Sequence, residues 1–198
     1  IIENDADMEK LFPITASEAK AAFGSGALFI ERFLRTPRHV EVQFAGDRFG
    51  TAVHVGERDC SMQRRHQKII EEAPAPNLSD SLRDRIRSAA ARLVASTGYV
   101  TVGTCEFLVE GEEFFFLEVN PRIQVEHPVT EMVTGVDLVQ LQIRLAAGER
   151  MPFAQSEVRL QGHSIEVRVN AEDPWKFTPS PGKITGYHAP GGPDAAAE

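Results

Sequence analysis

Glu106, Glu118 and Asn120 are the residues whose spacing first suggests chemistry. Alternate residues of a strand share a face, so Glu118 and Asn120 point the same way. A hairpin formed by Val100–Val109 and Phe114–Asn120, with a three-residue loop from Gly111 to Glu113, sets Glu106 opposite Glu118. Both segments are rich in Phe, Val and Leu, which predicts cover on both faces, and two facing carboxylates there repel. A divalent cation removes the repulsion. Glu, Glu and Asn supply only oxygen, which suits a hard ion such as Mg²⁺ shared with substrate phosphates. The competing reading is a different register with one Glu in solvent, and spacing alone leaves the two level.

Two further clusters stand near in chemistry. Gln63-Arg64-Arg65-His66-Gln67-Lys68 gathers cations that could hold phosphate or bicarbonate oxygens. Taken alone it reads as a solvated basic patch, and Cys60 beside it as a packed small residue. Arg122-Ile123-Gln124-Val125-Glu126-His127-Pro128 follows the metal strand directly. In an extended loop Arg122, Gln124 and Glu126 project together, able to bind a small oxyanion and move its proton. His54 and His188 have no supporting context.

The elements that must position these residues are read from periodicity. Thr15 with Glu18 fits a capping box for a short helix ending near Gly24, and Leu28–Ile30 reads as a strand leading into Glu31–Leu34. His39–Phe44 and Thr51–Val55 alternate as a hairpin. Ser61–Pro76 reads as irregular. Ser79 caps a helix with a Leu82, Ile86, Ala90, Leu93, Val94 face that ends at Gly98. Pro121–Pro128 reads as a loop. Thr134 and Asp137 both fit the start of a second helix, which ends at Gly148 with Leu138, Leu141 and Leu145 on its face. Ser164–Asn170 alternates, with Glu166, Arg168 and Asn170 on one side. Antiparallel hairpins with packed helices give an α+β class, with a boundary between Gly148 and Gln161.

The 198 residues, 42% of them hydrophobic and 25% charged, suffice for one or two domains with a real core. Twenty-one basic against 29 acidic residues give a net charge of −8, which argues against a nucleic-acid partner. No apolar run is long enough for a membrane span and no signal-peptide pattern is present. Cys60 and Cys105 lack both metal-ligand spacing and a disulfide framework, so a reducing compartment is the default.

Arg38–Gln43, Glu57–Lys68 and Glu118–Glu131 resemble biotin carboxylase, the ATP-grasp component of acetyl-, propionyl- and methylcrotonyl-CoA carboxylases and of pyruvate carboxylase. Glu166–Asp173 and Pro179–Ile184 resemble the start of that family's C-terminal domain. The resemblance covers nearly the whole chain. It implies an ATP-grasp core over residues 1–152 followed by the start of the C-terminal domain over 163–198. It implies ATP, Mg²⁺ or Mn²⁺, bicarbonate and carrier-borne biotin as cofactors and substrates. The implied reaction is a ligase reaction that carboxylates biotin through carboxyphosphate, with fatty acid synthesis as one setting. Position by position, Glu31, Arg32 and Leu34 resemble the adenine hinge, Leu108 and Leu117 the adenine slot, and His39, Gln63 and His66 nucleotide contacts. Glu106, Glu118 and Asn120 resemble the metal ligands, in agreement with the face argument. Lys68, Arg122, Gln124 and the Val125 amide resemble the bicarbonate cradle, Glu126 the base, and Arg168 the group that stabilises the biotin enolate; Lys68 and Arg122 count with Glu126 and Arg168 as catalytic.

The implied partners are a biotinyl carrier domain or protein and a carboxyltransferase component, with a homodimer in the full-length form and no nucleic acid or membrane. The implied location is the cytoplasm, or the mitochondrial matrix in a eukaryote. Arg32 stands where the family often has Lys. The family's glycine-rich phosphate loop and two ATP-binding lysines would precede Ile1, and Asp194–Glu198 does not match the strand that follows Gly191-Gly192 in the family. The expectation is therefore a piece of a longer enzyme, inactive alone. The alternatives are a non-catalytic chain of the same fold and another ATP-grasp ligase such as a carbamoyl-phosphate synthetase. Gln63–Lys68 and the surroundings of Arg168 argue against the latter.

Overall fold

In β1 (Arg38–Gly46), Val40, Val42 and Phe44 alternate with His39, Glu41 and Gln43, and the two sets go to opposite sides of one sheet. The computed structural model describes residues 1–188 and 191, so the Gly192 and Asp194–Glu198 readings lie outside the described residues. After α1 (Asp5–Phe23), the strands are β1, β2 (Ala52–Arg64), β3 (Gln67–Ala73), β4 (Thr101–Glu110), β5 (Glu113–Asn120) and β6 (Ser164–Val167). They form one antiparallel sheet in the order β5-β4-β1-β2-β3-β6. The helices α2 (Asp80–Thr97), α3 (His127–Thr134) and α4 (Leu138–Ala146) complete the mixed fold that the sequence predicts.

One face of the sheet is dry. Leu82, Ile86, Ala90 and Val94 of α2 bury against Val40, Val42, Phe44, Cys105 and Phe107, and each Leu, Ile, Val or Phe among them stabilises by about 1.5–3 kcal/mol. Gly103 is required here: a Cβ on it would fall 2.5 Å from the Phe44 ring. The other face is graded along its strands. Ala45 and Val102 pair at the end covered by α4 and its Leu138, Leu141 and Leu145. Gln43 and Thr104 pair next, then Glu41 and Glu106. Apolar gives way to neutral polar and then to charge.

Two β-bulges place charges on this graded face. Val53 and Val55 of β2 pack under α4, but Gly56, at φ +90, adds a residue to the strand. Glu57 then faces α2, where Arg83 and Arg87 grip it, while Arg58 faces Glu41 on the graded side. In β5, Leu117 is the extra residue: Phe116 opposes Phe107 on the α2 side and Glu118 opposes Glu106.

Several expectations are corrected. The first helix starts at Asp5, capped by Asn4, whose side chain accepts from the Asp7 amide, so Thr15 lies inside it. Leu28–Leu34 is not a strand, and among the described residues no strand pairs with it. Ser61–Pro76 is mostly regular: β2 runs on to Arg64, and Arg65 and His66, at φ 51 and 66, make a left-handed two-residue turn into β3. The β4–β5 loop has two residues, since Glu110 pairs with Glu113, and the Leu117 bulge restores the Glu106–Glu118 pairing. Part of the Pro121–Pro128 loop is the start of α3, and Asp137 rather than Thr134 caps α4. The alternation over Ser164–Asn170 yields a strand only to Val167, which joins the same sheet through β3.

Candidate active site

The charged end of the graded face opens into a cavity of about 420 Å³. Its floor is held by Arg58, which is fully buried and spends every donor. Nε bonds Glu41 Oε1 at 2.8 Å, Nη1 bonds Gln43 Oε1 and Thr130 Oγ1 at 2.8 Å each, and Nη2 bonds Gln124 Oε1 at 3.2 Å and Thr104 Oγ1 at 3.4 Å. Gln124 in turn donates to Glu106 Oε1 at 2.9 Å. Its amide is thus fixed from both ends.

Above this floor Lys68 spends its three protons on three carboxylates: Glu41 Oε2 at 2.6 Å, Glu126 Oε1 at 2.6 Å and Glu106 Oε1 at 3.1 Å. Burial alone would neutralise the ammonium, but the Glu41 carboxylate and its neighbours push the Lys68 pKa up, so the lysine stays charged. Burial would likewise raise Glu41, yet Arg58 and Lys68 hold it below the usual carboxylate range. Burial would raise Glu106; the His39 ring, with Nε2 2.7 Å from Glu106 Oε2, and Lys68 instead hold it down at about 2.

Glu126, the N-cap residue of α3, is 2% exposed and bridges two strands' cations. Lys68 Nζ holds one oxygen, and Arg168 Nη2 holds Oε2 at 2.8 Å. Arg168 lies just past β6, anchored by its amide to Ile69 O at 3.0 Å and by its Nε to Glu71 Oε1 at 2.7 Å.

Asn120 Nδ2 lies 2.9 Å from Glu106 Oε1 and 3.1 Å from Glu118 Oε1, so two carboxylates converge on one amide. These residues present an oxygen donor set toward the cavity, which suits Mg²⁺. The ligand atoms of His39, Glu41 and Glu106 also come within 4.8 Å of one another, so Glu106, which Lys68 Nζ bonds as well, belongs to both groupings.

Most of the expected site converges. His39, Gln63, His66 and Lys68 line the cavity with Glu106, Glu118 and Asn120, and so do Arg122, Gln124, Val125, Glu126 and Arg168. Gln63 reaches His39 Nδ1 at 3.2 Å, and Arg122 reaches Asn120 Oδ1 at 3.3 Å. The residues of the expected adenine hinge and slot stand apart from the lining. Arg32 is exposed, stacks on Phe115 and pairs with Glu113. Glu31 is exposed beside it and Leu34 is buried. Leu108 pairs with His39 in register, and Leu117 is the half-exposed bulge residue. Sequence reasoning missed Glu41, Arg58, Glu71 and Thr130. Part of the signal for the first was available: Glu41 shares the His39 and Gln43 face of a strand read from its alternation, but that alternation by itself does not say the polar face is covered.

Comparison with known proteins adds a family to this geometry. Residues 1–154 match the family described as carbamoyl-phosphate synthase L chain, ATP binding domain. The chain is 51% identical over 198 residues to a biotin carboxylase of Allochromatium vinosum, covering all of this chain and 44% of that protein. Among solved structures, a Campylobacter jejuni biotin carboxylase–βγ-ATP complex superposes with a TM-score of 0.85 at 50% identity, over 96% of this chain and 43% of that one. A biotin carboxylase domain dimer of Hydrogenobacter thermophilus 2-oxoglutarate carboxylase, in complex with MgADP, ADP and bicarbonate, gives a TM-score of 0.83 at 46% identity, over 96% and 42%. The chain thus spans less than half the length of these relatives.

Proposed function

Because the chain belongs to the carbamoyl-phosphate synthase L chain ATP-binding domain family, we propose that its cavity performs the bicarbonate-activating chemistry of a biotin carboxylase, within a polypeptide that also carries the rest of the ATP site. The observation that carries this reading is the placement of Glu126 between Lys68 and Arg168 at the mouth of the oxygen-lined site. Residues 1–152 are assigned to the ATP-grasp core and 163–198 to the start of the following domain.

Both oxygens of Glu126 are engaged by cations, Lys68 on one and Arg168 on the other. Bicarbonate entering between them offers its own oxygens to Lys68 and Arg122 and loosens the grip on Glu126, which then takes the bicarbonate proton. The resulting dianion attacks the γ-phosphorus of ATP, ADP leaves, and carboxyphosphate forms. Its C–O bond breaks to give CO₂ and phosphate, the phosphate takes the ureido proton of biotin, and the enolate attacks CO₂. Arg168 faces the enolate's negative charge, a stabilisation that such sites supply through preorganised donors. Glu106, Glu118 and Asn120 would hold Mg²⁺, whose charge neutralises the phosphate oxygens.

The test is isotopic, on the full-length polypeptide. With ¹⁸O-bicarbonate, ATP cleavage in the presence of biotin is expected to place one label in the released phosphate. ATP cleavage that needs no bicarbonate, or phosphate without label, overturns the reading.

A further inference from the structure

Glu71 of β3 and Glu166 of β6 are register partners, so their side chains leave the sheet on the same side. Glu71 is fully buried, and its Oε1 accepts from Arg168 Nε. Its Oε2 is buried with no hydrogen-bond partner, and so is Oε2 of Glu166. Each of these paired residues thus leaves a buried carboxylate oxygen without a donor, a cost that one proton held between the two side chains would remove. We propose that Glu71 and Glu166 hold a single proton between them across the β3–β6 pair, and that this proton governs how Arg168 is held at the cavity. Glu166 is then a positioning residue, two positions from the arginine it controls. The shared proton stands on geometry alone; its effect on turnover rests on the function proposed above.

The charges around the pair agree. Glu166 faces Glu71 from β3, Glu126 from the start of α3, Arg58 from β2 and its own neighbour Arg168; Glu71 also senses Glu41 from β1. The residues of α3 that bury against β3, Val129 and Val133, are apolar. Burial, then the Glu71 carboxylate, pushes Glu166 up to about 7, and burial raises Glu71 as well. While the proton is present, Glu71 is the carboxylate that Arg168 meets, and the guanidinium still reaches Glu126. Once it is lost, a second carboxylate competes for the same guanidinium and draws it off Glu126 toward the strands.

The experiment has two arms. In this chain labelled with ¹³C at glutamate carboxyls, the Glu166 resonance, assigned by its loss in Glu166→Gln, is expected to titrate near pH 7. In Glu71→Gln its midpoint should fall toward the ordinary carboxylate range. A wild-type midpoint below about pH 5 overturns the shared proton. In the full-length polypeptide, the kcat of biotin carboxylation should fall up to about tenfold per pH unit above the Glu166 midpoint. Glu166→Gln, which mimics the protonated form, should lose that fall. Coincident pH profiles for wild type and Glu166→Gln overturn the positioning role even if the proton is found. A wild-type enzyme that never carboxylates biotin overturns the proposed function and leaves the NMR result standing.

Discussion

Glu57 and Glu126 each lie buried between two cationic side chains, on opposite faces of the same sheet. The cations of Glu57 come from one helix, four residues apart, and among the described residues Arg83 and Arg87 pair with no other carboxylate. Those of Glu126 come from β3 and from the end of β6, and both are shared: Lys68 with Glu41 and Glu106, Arg168 with Glu71. The first arrangement is closed and ties α2 to β2. The second is oversubscribed, so any cation can leave one carboxylate and keep another. An anion can enter such a cluster without stranding a buried charge, which is what separates a binding site from a clamp.

The largest expected effect sets function against stability. Glu126→Gln in the full-length polypeptide should lower biotin-dependent turnover by about 10²–10⁴-fold, the range for loss of a general base. Its stability to urea should change by less than about 1 kcal/mol, because Lys68 and Arg168 retain other partners. A large fall in stability would make Glu126 a clamp like Glu57.

Glu57→Gln should show the reverse. Removing a buried charge from its two partners costs about 3–5 kcal/mol, read as a lower urea midpoint for this chain, with the cavity residues undisturbed. A loss below about 1 kcal/mol would erase the distinction.

The pH response is smaller and has a definite sign. The folded-state pKa of Glu106 lies at about 2, below its ordinary 4.5. Its stabilisation is therefore complete above 4.5 and is lost as pH falls through 2. Thermal melts of wild type should drop across that window more steeply than melts of Glu106→Gln, and equal slopes would remove Glu106 from the shared network. The smallest effect belongs to the rim. Arg32 and Glu113 pair while 60% and 66% exposed, so Arg32→Ala should cost at most about 0.5 kcal/mol, within the scatter of a denaturation curve.

The sheet's alternation was legible, because Val40, Val42 and Phe44 against Glu41 and Gln43 follow the period of a strand directly. So was the convergence of Glu106, Glu118 and Asn120, although the loop is one residue shorter than expected and Leu117 makes up the difference. The β2–β3 turn was hidden because Arg65 and His66 take left-handed conformations that usually announce themselves as Asn-Gly. Helix α3 was hidden by Val129, Thr130, Val133 and Thr134, whose β-branched side chains favour strands. Arg58 and Glu71 were invisible for another reason. A buried charge and an exposed one are written with the same letter, and only the Gly56 bulge decides that Arg58 turns inward.

The order of the strands also sets which pairings are local and which are long-range. β1–β2, β2–β3 and β4–β5 are hairpins that can close locally, whereas Glu71 meets Glu166 only after nearly a hundred residues have been gathered in. The entropic cost of so long a loop rises slowly with its length, but long-range contacts slow folding. Arg168 depends on that long-range pairing, anchored by its amide to Ile69. Lys68, Glu106 and Glu118 are thus gathered by β1 to β5, whereas Arg168 depends on the β3–β6 pairing. The charged cluster is therefore complete only when the sheet's most distant pairing in sequence is made, so its integrity reports on the longest-range contact of the fold.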